Sequence, residues 1–190
     1  MISNLFDKNT MRILSYFLIS PGSRYSRKEL KENTKMNNVP LDQTIARLKT
    51  LKIIEEKKKL YSLNLQNEEF KIILEQLQQE YKRFSVPYEI FNILIDISDR
   101  ISRVKQVKEA FLFGSYAKLI YSEKSDIDIA IIFYNEIKNK NKLEKKINKE
   151  LMKISKKSKT QIEVHYFSDA DMKAKDPLIK DILKNNKKII

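Results

Sequence analysis

Ala110-Phe-Leu-Phe-Gly-Ser-Tyr-Ala-Lys118 and, after a short polar interval, Ser125-Asp-Ile-Asp-Ile-Ala-Ile-Ile-Phe133 form the stretch on which the fold turns. The two apolar, β-branched and aromatic runs around a Gly-Ser pair read as strand, turn, loop, strand. Side chains two apart on a strand share a face, so Asp126 and Asp128 project together while Ile127, Ile129 and Ile131 pack on the other side. Two carboxylates converging at a strand end repel, and a divalent cation with a preference for oxygen, Mg²⁺ or Mn²⁺, is their natural partner. Gly114 permits close approach of the backbone, and the N–H groups of Gly114-Ser115 together with the Ser115 hydroxyl can hold phosphate oxygens.

Working outward, Thr160-Gln-Ile-Glu-Val-His-Tyr-Phe167 reads as a further strand with Glu163 between apolar neighbours, and Asp176–Lys184 as a closing helix. His165, two residues from Glu163, shares its face and reads first as a partly buried surface histidine. The Asn/Lys-rich segment Asn135–Lys149 runs into a helical pattern carried by Leu143, Ile147, Leu151 and Ile154, its lysines a solvated face. Upstream, Ser85-Val86-Pro87 breaks the chain before an amphipathic helix beginning at Tyr88.

Gly-Ser, ten residues, then Asp-x-Asp resembles the nucleotidyltransferase superfamily that includes DNA polymerase β, and specifically its minimal nucleotidyltransferase branch, over about residues 87–190. The resemblance implies a metal-dependent transfer of a nucleoside monophosphate from ATP or another nucleoside triphosphate to a hydroxyl. Asp126 and Asp128 then hold two metal ions, and Glu163 binds the one on the acceptor side. Glu163 takes the hydroxyl proton, Gly114 and Ser115 grip the triphosphate, and Lys118 neutralises phosphate. It further implies an antitoxin role in which the acceptor is a tyrosine of a HEPN-type toxin; a nucleic-acid 3′-end is the other enzymatic acceptor. The chain departs from the pattern at Leu119, where such domains commonly carry Gly, and at Glu163, where Asp is more usual.

Ahead of this region, Ile13, Leu14, Phe17 and Leu18 keep helical spacing up to Pro21-Gly22, and Ser26 with Glu29 forms a capping-box pattern opening a second helix. A third helix, capped by Asn38 and with Pro40 in its first turn, buries Leu41, Ile45, Leu48 and Leu51. Ile53–Glu56 and Leu60–Leu63 flank a Lys57-Lys58-Lys59 tip as a β-hairpin. This order resembles a winged helix-turn-helix, which implies DNA binding: Asn38, Gln43 and Arg47 read bases, and Lys57, Lys58 and Lys59 meet phosphates. Asp42 lies on the same face and is awkward near DNA. Lys52 stands where Gly often ends the third helix. Phe70, Ile73, Leu74, Leu77, Tyr81 and Phe84 form the stripe of a connecting helix.

The expected fold class is therefore α+β with a mixed sheet: a winged helix-turn-helix at 1–66, a linker helix at 67–86 and a polymerase β-like nucleotidyltransferase at 87–190. The 190 residues contain no Cys and one His, which excludes disulfides, thiolate zinc sites and cysteine nucleophiles. The net charge of +13 favours polyanionic partners, DNA and nucleotides included, although 31 Lys against 7 Arg beside many Asn and Ile also suits a general compositional habit. No apolar run approaches the roughly 20 residues of a membrane span, and the N-terminus lacks a basic segment followed by an apolar one, so a cytoplasmic protein without a membrane partner is expected. Paired half-sites make a homodimer the expected DNA-binding form. The rival reading from another functional class is a transcriptional regulator whose second domain only senses nucleotide or binds a partner.

Overall fold

Asp7 opens the first helix by accepting hydrogen bonds at its carboxylate from the Asn9 and Thr10 N–H groups, so that α1 spans Lys8–Ile19 and buries Met11, Ile13, Leu14, Phe17 and Leu18. The computed structural model describes residues 7–135, 137, 139–174 and 176–190. Its chain divides into two units, 7–83 and 84–190. The division falls inside the linker expected at 67–86, and the helix there groups with the N-terminal unit.

In the first unit, β1 (Tyr25–Ser26) leads into α2 (Arg27–Thr34), whose capping box is formed as expected: Ser26 Oγ accepts from the Glu29 N–H, and the Glu29 carboxylate accepts from the Ser26 N–H at 2.7 Å. α3 (Asn38–Thr50) is capped by Asn37, one residue earlier than expected, and Asn38 is its first helical residue. Lys52 takes the left-handed conformation that Gly usually supplies, with φ 53°. The Ile53 N–H then bonds back to the Leu48 carbonyl and the Lys52 N–H to that of Lys49, both at 2.9 Å, which is a complete Schellman closure built on lysine. β2 (Ile54–Lys57) and β3 (Leu60–Leu63) pair antiparallel, and β1 adds to the other side of β3. Lys58 and Lys59 both have positive φ, the signature of a two-residue type I′ hairpin turn. α4 (Glu68–Phe84) follows.

In the second unit, α5 (Tyr88–Ile101) is buried over most of its length and leads to β4 (Val107–Phe113). The five-residue helix α6 (Gly114–Lys118) follows directly, then β5 (Ile127–Phe133), α7 (Lys140–Ser158), β6 (Ile162–Ser168), α8 (Pro177–Lys184) and β7 (Lys187–Lys188). The sheet order is β6-β5-β4-β7, with β5 and β6 parallel and the other pairs antiparallel. Parallel β5 and β6 require a crossover, which α7 provides. The chain does not end on the expected helix: β7 pairs Lys188 with Phe111 and Lys187 with Leu112, covering the free edge of β4.

Alternation along the strands assigns the sheet faces. Ile127, Ile129, Ile131 and Phe133 lie on one face with Tyr166, whose ring stacks on Phe133 and whose hydroxyl donates to Asn148 of α7 at 2.8 Å. The other face carries Asp128 and Ala130, with Phe111, Phe113, Glu163, His165 and Phe167 as their cross-strand partners or neighbours. There Phe113, Ala130 and Ile182 of α8 form a core with Phe111, Phe167 and Met172. Among the described residues no helix is long and apolar enough to cross a membrane.

Candidate active site

The carboxylates gather at the start of the two parallel strands, on the face covered further along by α8. Register pairs Asp128 of β5 with Glu163 of β6 and, on the other flank, with Phe113 of β4. Asp126 immediately precedes β5 and is half-buried, as Asp128 is. Burial pushes the Asp128 carboxyl above the usual aspartate range, and the neighbouring charges of Glu163 and Asp126 push in the same direction. His165 and a hydrogen bond from the Ser115 N–H act the other way. Like charges thus converge on one half-buried oxygen donor.

Gly114 fixes the turn beside them. Its φ is +65°, and a Cβ at this position would lie 1.9 Å from Asp128 Oδ2 and 2.7 Å from its Cγ. Both backbone conformation and space therefore demand glycine, and the absent side chain lets Asp128 lie against the backbone. Ser115 follows, half-buried at the start of α6. At the far end of α6 Leu119 stands in the left-handed region with φ 61° and ψ 30°, and the Ile120 N–H closes the turn on the Ser115 carbonyl at 3.0 Å. Leucine here holds the backbone shape that glycine would adopt at lower cost. Tyr116, buried behind the turn, stacks on Tyr121 with ring centroids 4.6 Å apart.

His165, expected on the Glu163 face, makes contact there. His165 Nε2 lies 3.0 Å from Glu163 Oε1, and its ring forms a T-shaped pair with Phe113, centroids 5.4 Å apart. The i+2 spacing on a strand already placed the histidine on that face, so the signal was present. Lys118, expected as a phosphate neutraliser, pairs at 2.8 Å with Asp181 of α8, whose carboxyl it holds below the usual aspartate range with help from Asn185. A separation of 63 residues left no sequence signal for that pair.

The donor set fits a divalent cation: three carboxylates, one of them destabilised in its charged form, and no sulfur or imidazole cluster to favour a softer metal. Among the described residues no three such side chains are already drawn together tightly enough to enclose an ion. Glu163 is turned to His165 instead.

The residues expected to meet DNA all lie in the first unit and are exposed. Arg47 is committed: its guanidinium bonds to the Asp7 carboxylate and the Thr10 hydroxyl at the start of α1. Asp42 is neutralised by a bidentate contact from Arg27 at 2.6 and 2.8 Å, and Asn38 accepts from the same guanidinium at 3.4 Å. Lys57 pairs with Glu55, whereas Lys58 and Lys59 form the hairpin tip. Gln43 projects from the same helix as Asp42.

No curated protein matches the sequence. A crystal structure at 1.40 Å resolution of a protein from Sulfolobus solfataricus, described as a candidate nucleotidyltransferase, is similar at 20% identity, covering 53% of this chain and 81% of that one, with a TM-score of 0.33 that adds no weight. The family model described as polymerase beta, nucleotidyltransferase matches residues 96–190 and so takes in the Gly-Ser turn and all three carboxylates. By that match the chain belongs to the polymerase beta nucleotidyltransferase family.

Proposed function

We propose that the second unit transfers a nucleoside monophosphate from a nucleoside triphosphate, ATP first among them, to a hydroxyl acceptor. The observation that carries this reading is the register of Asp128 with Glu163, beside Asp126 and against a turn only glycine can make. Asp126, Asp128 and Glu163 would hold Mg²⁺ or Mn²⁺, which when bound neutralises the carboxylates and stabilises the charge that builds on the phosphoryl oxygens. Gly114 and Ser115 bind the triphosphate and hold its α-phosphorus toward the carboxylates. The acceptor oxygen bonds to that phosphorus, the bond to the bridging oxygen breaks and pyrophosphate leaves, while the hydroxyl proton passes to Glu163. Glu163 reaches the metal and that proton only by leaving His165, against which its carboxylate rests at 3.0 Å. Lys118 reaches phosphate only by exchanging Asp181 for it.

Among acceptors, a tyrosine of a HEPN-type partner is the one implied by the likeness to minimal nucleotidyltransferases. The first unit is assigned to DNA through its hairpin tip and the exposed face of α3; neutralisation of Asp42 by Arg27 supports this, and the engagement of Arg47 with α1 shifts the readout toward Asn38 and Gln43. The sensor-only reading drew on Leu119, and the left-handed conformation of that residue keeps the turn in shape.

The test incubates the purified chain with Mg²⁺ and ATP labelled at the α-phosphate, alone and with a candidate partner, and reads label on protein or nucleic acid. Transfer that vanishes in Asp128→Asn supports the reading. Saturable nucleotide binding with no transfer to any acceptor favours the sensor.

A further inference from the structure

α7 concentrates charge in a way the transfer reaction does not use. Its 19 residues carry eight lysines and two glutamates, six of the thirteen net positive charges of the chain. The apolar side of the helix, Ile147, Leu151 and Ile154, is buried. On the exposed surface Lys142, Lys145, Lys149, Lys153 and Lys156 recur at three- and four-residue intervals, a single stripe about 21 Å long at 1.5 Å per residue. Glu150 engages Lys153, but among the described residues no ion pair involves Lys142, Lys145, Lys146, Lys149, Lys156 or Lys157. With only Lys153 of the five paired, the stripe repels itself along four turns, a cost that a polyanion lying on it relieves.

A second feature adjoins the stripe. Between the end of α5 and the middle of α7 lies a crevice of about 200 Å³ with an apolar floor of Ile101, Val104, Ile147 and Leu151. Lys146 stands at its rim beside Arg100 and Arg103, which are anchored by Glu150 at 3.7 Å and Asp99 at 2.6 Å. Apolar space bordered by spaced cations suits a polymer that alternates flat, weakly polar groups with phosphates. An acidic peptide would bring charge with nothing to fill the floor.

We propose that the outer surface of α7, with the crevice beside α5, is a docking face for single-stranded nucleic acid that reads the phosphodiester chain without sequence preference, the crevice taking a base that a duplex would keep stacked. α7 covers the sheet face opposite the one that bears Asp128 and Glu163, so a bound strand leaves the carboxylates accessible. The face is independent of the nucleotidyl-transfer reading and of the hairpin lysines of the first unit. Lysine stripes of this kind bind by displacing counterions, so affinity falls steeply with salt.

The test uses the full chain carrying Lys57→Gln, Lys58→Gln and Lys59→Gln, which removes the hairpin contribution. Fluorescent mixed-sequence single-stranded RNA and duplex DNA of 20 nucleotides or base pairs are titrated at several salt concentrations. Adding Lys142→Gln, Lys145→Gln, Lys146→Gln and Lys149→Gln is expected to weaken binding about tenfold or more and to flatten the log K against log salt slope by about 3, whereas arginine at the same four positions retains it. The single strand is expected to bind more tightly than the duplex; equal or tighter binding of the duplex would overturn the proposal. Adding Asp128→Asn instead leaves binding unchanged, which separates this face from the reaction site. Unchanged affinity and slope in the folded glutamine variant, or displacement by polyglutamate at equal charge concentration, would overturn the proposal.

Discussion

Gly114 shows how one residue can decide a site. With φ at +65° and Asp128 Oδ2 lying where a Cβ would be, Gly114→Ala must both strain the backbone and push the carboxylate away. We expect this variant to lose about 1–3 kcal/mol of stability, read by urea unfolding, and to lose nucleotide transfer more completely than its stability loss explains. Asp128 carries a sign that can be checked. Its folded-state pKa lies above the usual value, so its ionised form is disfavoured in the fold. The penalty is absent below the usual carboxylate range and is fully present once pH exceeds the raised folded value. Asp128→Asn should therefore raise Tm at neutral pH in the absence of divalent ions, with the gain shrinking as pH falls toward that range. Mg²⁺ should raise Tm for the wild type and leave that of Asp128→Asn unchanged.

At the scale of elements, the chain makes its turns almost without glycine. Lys35, Lys52, Lys58, Lys59, Lys159 and Leu119 all adopt positive φ, conformations that disfavour a side chain by about 1–2 kcal/mol each. Lys52→Gly at the end of α3 and Leu119→Gly at the end of α6 should each stabilise the protein by up to about 1 kcal/mol, the gain being limited by the extra entropy of glycine in the unfolded chain. Leu119→Gly should also leave nucleotide transfer intact, since the turn already has the shape glycine would give. Thermal unfolding of the single variants against wild type decides both. The capping box at Ser26 and Glu29, the helical stripe of α7 and the Asp-x-Asp strand were legible because each is a local pattern. The cap at Asp7, the strand Lys187–Lys188 and the Lys118–Asp181 pair were not: a cap before a weak boundary, a two-residue strand of lysines and a contact across 63 residues leave no periodicity to read. Glu163 was reached through the resemblance together with its strand, and only the parallel register placed it beside Asp128.

For the whole molecule, the two units divide the proposed work. Asp126→Asn with Asp128→Asn should abolish metal-dependent nucleotide binding and leave DNA binding by the first unit within twofold (on the order of 0.4 kcal/mol by the affinity relation), measured by titration of duplex DNA. Loss of DNA binding or of folding in that variant would show that the units do not divide the work in this way. Charge alone could not have assigned these roles, because the chain carries +6 up to Ser85 and +7 beyond it. The proposed division rests instead on where negative charge converges, at Asp128 in the second unit.

The central claim is that Asp126 and Asp128 bind the divalent cation that holds the nucleotide, with Glu163 serving the acceptor side, and calorimetric titration of a non-hydrolysable ATP analogue with and without Mn²⁺ tests it most directly. The account predicts Mn²⁺-dependent binding in the wild type, its loss in Asp128→Asn, and its retention in Glu163→Gln with label transfer abolished. Binding of equal strength without metal, unaffected by Asp128→Asn, would contradict it.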